Sequence, residues 1–180
     1  MVRDTTDGLV HQWRLNGDAL DNVGAAHGSL EGTPAVVNGH WGQGLQTDGV
    51  DDHVALPDIT YSDEFSLTFN FRVDDNSGTQ LQYFYSHGVL PNAGQNNLVH
   101  VAMVEDNHAT VSQRNHLITT LWDGNDSASG QLLVNASSLI GDGLWHQYTM
   151  TVSAVDGTRV YVDGVLMGSI AKGGDAINPS

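Results

Sequence analysis

The chain has 180 residues, 39 % of them hydrophobic, with 21 Gly, no Cys, and 21 acidic against 6 basic residues for a formal charge of −15. That composition supports a folded core with many turns and excludes a disordered chain, while the missing Cys excludes disulfides, thiol catalysis and thiolate zinc sites. The charge repels phosphate backbones and anionic lipid surfaces, so nucleic acid is a poor partner, and no apolar run is long enough for membrane insertion.

Alternation with a period of two runs through the chain. In order, the segments read as strands are Leu9–Leu15, Gly44–Thr47, His53–Leu56, Phe65–Val73, Leu81–Ser86, Leu98–Glu105, His116–Trp122 and Gln131–Val134. Phe65, Leu67, Phe69, Phe71 and Val73 fall on one face of their strand, and Ser66, Thr68, Asn70 and Arg72 on the other, the pattern of a half-buried strand. Ala136–Ile140 is expected to make one short helical turn, and Trp145 to Met150 a further long strand. Val160 to Met167 reads as a hairpin around Asp163-Gly164, because a two-residue type I′ turn needs positive φ at both central positions. Asp-Gly recurs at Asp7-Gly8, Asp48-Gly49, Asp123-Gly124, Asp142-Gly143 and Asp156-Gly157. Turns this regular predict an all-β, antiparallel two-sheet sandwich. Residues 1–180 are expected to form one domain.

All the acids except Glu31, Glu64 and Glu105 are Asp, and Lys172 is the one Lys. Such a surface suits divalent cations or solubility in salty surroundings. Met1-Val2-Arg3-Asp4 is not a signal peptide.

The order and spacing of several pieces resemble the laminin-G-like, concanavalin A-like (pentraxin-related) jelly-roll domains. They are Gly8-Leu9-Val10-His11-Gln12-Trp13-Arg14-Leu15, Asp21-Asn22-Val23-Gly24, Gly42-Gln43-Gly44-Leu45-Gln46-Thr47-Asp48-Gly49-Val50-Asp51-Asp52-His53-Val54, Phe65-Ser66-Leu67-Thr68-Phe69, Leu144-Trp145-His146 and Tyr161-Val162-Asp163-Gly164. The resemblance implies two stacked antiparallel sheets, often with calcium, but no single activity, since the fold hosts lectins, adhesion modules and glycoside hydrolases. It also implies two further strands after Asn178-Pro179-Ser180, so a truncated domain, or one split by an inserted ligand-binding module as in large secreted bacterial adhesins, is expected. Trp13, Trp41 and Trp145 match core positions of the family.

The turn of Asp18, Asp21, Asn22, Gly24 and His27 is the first Ca2+ candidate. Calcium takes six to eight oxygens from carboxylates and backbone carbonyls, and an Asp-Asn-x-Gly turn offers both; the alternative is an Asx-turn in which Asp21 bonds its own backbone. Asp48, Asp51 and Asp52 read either as a second cation site or as a capped hairpin turn. Carbohydrate or cell-surface ligands are expected at two loops. One carries Asn92, Gln95, Asn96 and Asn97, the other Trp122, Asp123, Asn125 and Asp126, where an aromatic ring stands beside planar amides and carboxylates. Tyr83, Tyr85 and His87, spaced two apart, read either as lining the concave face, with Tyr85 and His87 as further ligand-binding candidates, or as large side chains covering the second sheet.

Hydrolases of the resembling fold carry Glu-x-Asp-x-x-Glu on one strand, and three Glu without that spacing cannot form it. No Gly-x-Ser-x-Gly elbow or His-Glu-x-x-His pair occurs. The expectation is therefore a non-catalytic, secreted or cell-surface binding module, calcium-stabilised, with neighbouring domains of one long chain. A scaffold that presents an inserted ligand-binding domain and an accessory domain of a carbohydrate-active enzyme are the alternatives.

Overall fold

The computed structural model describes residues 8–62, 64–88, 97–123 and 130–170, and the chain divides into two compact units, Met1–Ile59 and Thr60–Ser180.

Among its described residues the first unit has four short strands: β1 (Ser29–Glu31), β2 (Ala35–Asn38), β3 (Gln43–Gln46) and β4 (His53–Ala55). β1 pairs antiparallel with β4, and β2 with β3 in a hairpin. β3 and β4 lie within a residue of expectation, whereas β1 and β2 are too short to show an alternation. The strand expected at Leu9–Leu15 does not form; Trp13 makes a single bridge to Asp21. Asn22 N–H donates to Gln12 C=O in that bridge, but Gln12 N–H is diverted to the Asp21 carboxylate.

The second unit holds β5 (Phe65–Phe71), β6 (Leu81–Gly88), β7 (Asn97–Val104), β8 (His116–Asp123), β9 (Gly130–Asn135), β10 (His146–Ser153), β11 (Gly157–Val162) and β12 (Val165–Ile170). They form two four-stranded antiparallel sheets, ordered β12-β11-β10-β5 and β6-β7-β8-β9. Alternate residues of both sheets enter one core, including Phe71, Val101, Met103, Leu117, Tyr148 and Met150. Tyr148 ties the sheets together: stacked at 4.9 Å on Phe69 of its own sheet, it shares a 2.6 Å hydrogen bond from its hydroxyl with Thr119 Oγ1 of the other. This is the expected antiparallel sandwich. The hairpin turn between β11 and β12 has φ of 51° at Asp163 and 76° at Gly164. Among the other Asp-Gly pairs whose Asp is described, Gly49, Gly143 and Gly157 have positive φ and the preceding Asp does not, so only Asp163-Gly164 is a type I′ turn. Ser137–Leu139 makes the short helical turn expected there, and Val111–Gln113 makes a second one.

Candidate functional site

Asp21 organises the turn first considered for calcium. Its side chain is fully buried. Oδ1 accepts from the backbone N–H groups of Gln12, Val23 and Gly24, and Oδ2 from Ala26 N–H and the His11 ring at 2.6 Å. Burial pushes the Asp21 carboxyl up, but these donors outweigh it and hold it well below the ordinary 3.8. Asp18 Oδ1 caps Leu20 N–H, and His27 Nδ1 accepts from Asp21 N–H. Asn22 and Gly24 are exposed. A Cβ on Gly24 would stand 2.6 Å from Asp21 Oδ2, so the chain passes too close to that carboxylate for any other residue. Every bond seen at Asp21 runs to a nitrogen donor, the arrangement of the Asx-turn alternative.

Asp48, Asp51 and Asp52 do come together. Each can offer one carboxylate oxygen to a group whose members all lie within 4.8 Å of one another. Two oxygens on opposite sides of a calcium ion are separated by about 4.8 Å, so the spacing fits a cation. Asp48 Oδ1 also accepts from Val50 N–H, which holds the Asp48 carboxyl below its ordinary value and keeps it charged. Asp52 accepts from Thr33 and Asp48 N–H. Three carboxylates cannot fill six to eight positions alone; water and backbone carbonyls would supply the rest.

Of the expected sugar-binding residues, Asn92, Gln95, Asn96, Asn125 and Asp126 lie outside the described residues. Asn97 begins β7 and Asp123 ends β8; the two are register partners, as are Leu98 and Trp122. The strand ends that carry the two loops are therefore adjacent, although 25 residues separate them in sequence.

Tyr85 and His87 turn inward, contrary to the reading of one face shared with Tyr83. A bulge between Tyr83 and Tyr85 shifts the register: Tyr83 pairs with Ala102, whereas Tyr85 pairs with Val101 and His87 with Val99, two core residues. One extra residue moves all that follow to the other side of the sheet. Tyr85 then bonds the Tyr61 hydroxyl, and His87 packs edge-on against the Tyr61 ring. Burial and that bond raise the Tyr61 hydroxyl far above its ordinary pKa, so it is neutral at physiological pH.

The displaced Tyr83 defines a face that sequence reasoning did not find. It is 55 % exposed and meets the His100 ring edge-on at 5.6 Å. His100 belongs to a row that crosses the whole sheet, because the registers align Ser86, His100, Thr120 and Gln131. The neighbouring row is Tyr83, Ala102, Ile118 and Leu133. Thr120 is 5 % exposed and its Oγ1 has no hydrogen-bond partner. A buried hydroxyl without a partner loses its water and gains nothing, so the sheet holds an unused polar group here. Burial lowers the His100 pKa, keeping the ring neutral and able both to donate and to accept. The row lies two residues from the Leu98–Trp122 pair, about 7 Å along the strands. The only sequence signal was a polar residue in each of four strands, and it becomes visible only once the registers align them.

A family model described as the concanavalin A-like lectin/glucanases superfamily matches residues 48–180. The chain belongs to that superfamily. The match takes in both sheets of the second unit and the Asp48, Asp51 and Asp52 group, and begins after the Asp18–His27 turn and the β2–β3 hairpin. No curated protein and no solved structure matches the chain.

Proposed function

We propose that this chain is a non-catalytic carbohydrate-binding module that works outside the cell within a long secreted adhesin, beside other domains of the same chain. Membership of a lectin and glucanase superfamily supports the ligand class. The observation that carries the reading is the row of Ser86, His100, Thr120 and Gln131 beside the exposed Tyr83 ring. A sugar needs an apolar face for its C–H groups and neutral donors and acceptors for its hydroxyls. The exposed Tyr83 ring offers the first and the exposed Ser86 and Gln131 with the half-buried His100 offer the second, while Ala102, Ile118 and Thr120 between them are buried. The non-catalytic reading has its own support. In the sequence the three Glu lack the Glu-x-Asp-x-x-Glu spacing of hydrolases of this fold. Calcium belongs in this reading at Asp48, Asp51 and Asp52, where it would cross-link the turn before β4.

A glycan array probed with and without calcium tests the proposal. Wild-type protein should bind a defined glycan subset, and Tyr83→Ala should weaken that binding about tenfold or more, as expected when a stacking aromatic is removed. Calcium-dependent stability with no glycan signal would instead assign the chain a scaffold role that presents another domain.

A further inference from the structure

Trp41 was expected in a core and is 79 % exposed. It stands at the tip of the β2–β3 hairpin, in a turn closed by a 2.9 Å bond from Gly39 N–H to Gly42 C=O. The turn admits little rearrangement: a Cβ on Gly39 would lie 2.5 Å from the Gln43 carbonyl oxygen, and Gly42 has a φ of 77°. His40 meets the Trp41 ring at 4.9 Å and 87°, holding it in place.

Around the turn the polar side chains Asn16, Asn38 and Gln43 are neutral amides. Asn38 and Gln43 are register partners at the base of the turn, and both are exposed. Asn16 Oδ1 lies 3.8 Å from where a Cβ on Gly42 would stand. In a chain of formal charge −15, residues 35–46 contain no Asp, Glu, Lys or Arg. A sequence otherwise crowded with carboxylates has left this hairpin uncharged while holding an indole out in water.

We propose that the hairpin tip is a second sugar platform, in which Trp41 stacks on the C–H face of an uncharged pyranose and the amides of Asn16, Asn38 and Gln43 bond its hydroxyls. The inference rests on the carbohydrate reading but uses a different site. Planar amides match vicinal hydroxyls, and the lack of local charge removes any preference for sulfated or acidic sugars. The hairpin also precedes the residues matched by the superfamily.

The test is an array of neutral, sialylated and sulfated oligosaccharides probed with wild-type protein, Trp41→Ala, Trp41→Phe and Tyr83→Ala. Trp41→Ala should lose at least tenfold in affinity for a neutral oligosaccharide, Trp41→Phe should keep most of it, and both should melt like wild type by circular dichroism. A positive neutral oligosaccharide should also shield Trp41 from N-bromosuccinimide oxidation, read by peptide mass spectrometry. Unchanged affinity in Trp41→Ala, or unchanged oxidation, overturns the inference. If Tyr83→Ala alone loses binding, or only acidic glycans bind, the hairpin site fails while the carbohydrate reading stands; no glycan signal from wild-type protein removes both. A wild-type dimer that Trp41→Ala converts to monomer would assign the ring to a protein contact and overturn the sugar site.

Discussion

Thr120 and Asp21 are opposite solutions to burying oxygen. Asp21 is surrounded by donors, four backbone N–H groups and one imidazole, so its charge is held where a lone carboxylate would be expelled. Thr120 has nothing. That difference predicts the effect of Thr120→Val, which keeps the shape and deletes the hydroxyl. Stability measured by urea denaturation should be unchanged or higher by up to about 1 kcal/mol, since no hydrogen bond is lost and a desolvated polar group is removed. A stability loss above about 1 kcal/mol would mean that the hydroxyl has a partner in the folded protein.

At the scale of elements, His146 at the start of β10 joins two loops. Its Nδ1 faces Asp163 Oδ2 at 2.8 Å in the β11–β12 turn, and its Nε2 faces Asp142 Oδ2 at 3.1 Å. Both ring nitrogens point at carboxylates, so the imidazolium form fits. Burial lowers the His146 pKa, but the two Asp residues outweigh it and raise it above the ordinary 6.5. A raised folded pKa places its stabilisation below the unfolded value of 6.5, to be lost as pH rises through the folded value. His146→Gln should therefore cost about 1–3 kcal/mol near pH 6. The gap to wild type should narrow toward pH 9 in urea melts, and the His146 ring should titrate above 6.5 by NMR. A gap that is constant with pH would mean that the ring acts by shape alone. The β6 bulge belongs to this scale as well. Period-two spacing made Tyr83, Tyr85 and His87 one set, and a single extra residue opposite β7 divided them. No local signal marks that residue, because a bulge is the misfit between two strands and only the pair contains it.

For the whole molecule, the charge of −15 is a source of self-repulsion. Sodium chloride should raise the melting temperature by screening alone. Millimolar calcium should add a further rise if Asp48, Asp51 and Asp52 bind it, about 2.7 kcal/mol when calcium is a hundredfold above its dissociation constant. Asp51→Asn should remove the calcium increment and leave the salt increment, as read by scanning calorimetry. Equal shifts from calcium and from magnesium in both proteins would reduce the cluster to a capped turn.

The sequence by itself determined the fold class. Alternation in Phe65–Phe71 and the Asp163-Gly164 turn act through neighbouring residues, and both reach the structure intact. Strand alternation and turn chemistry are local, so they can be read from one segment at a time. Tertiary structure alone decided which side chains meet. It drew the backbone of Leu9–Leu15 away from a ladder toward Asp21, left Trp41 in solvent, and turned Tyr85 inward. It also aligned Ser86, His100, Thr120 and Gln131 from four separate strands. A register is set by the fit of whole strands against one another and against a shared core, so no segment carries it alone.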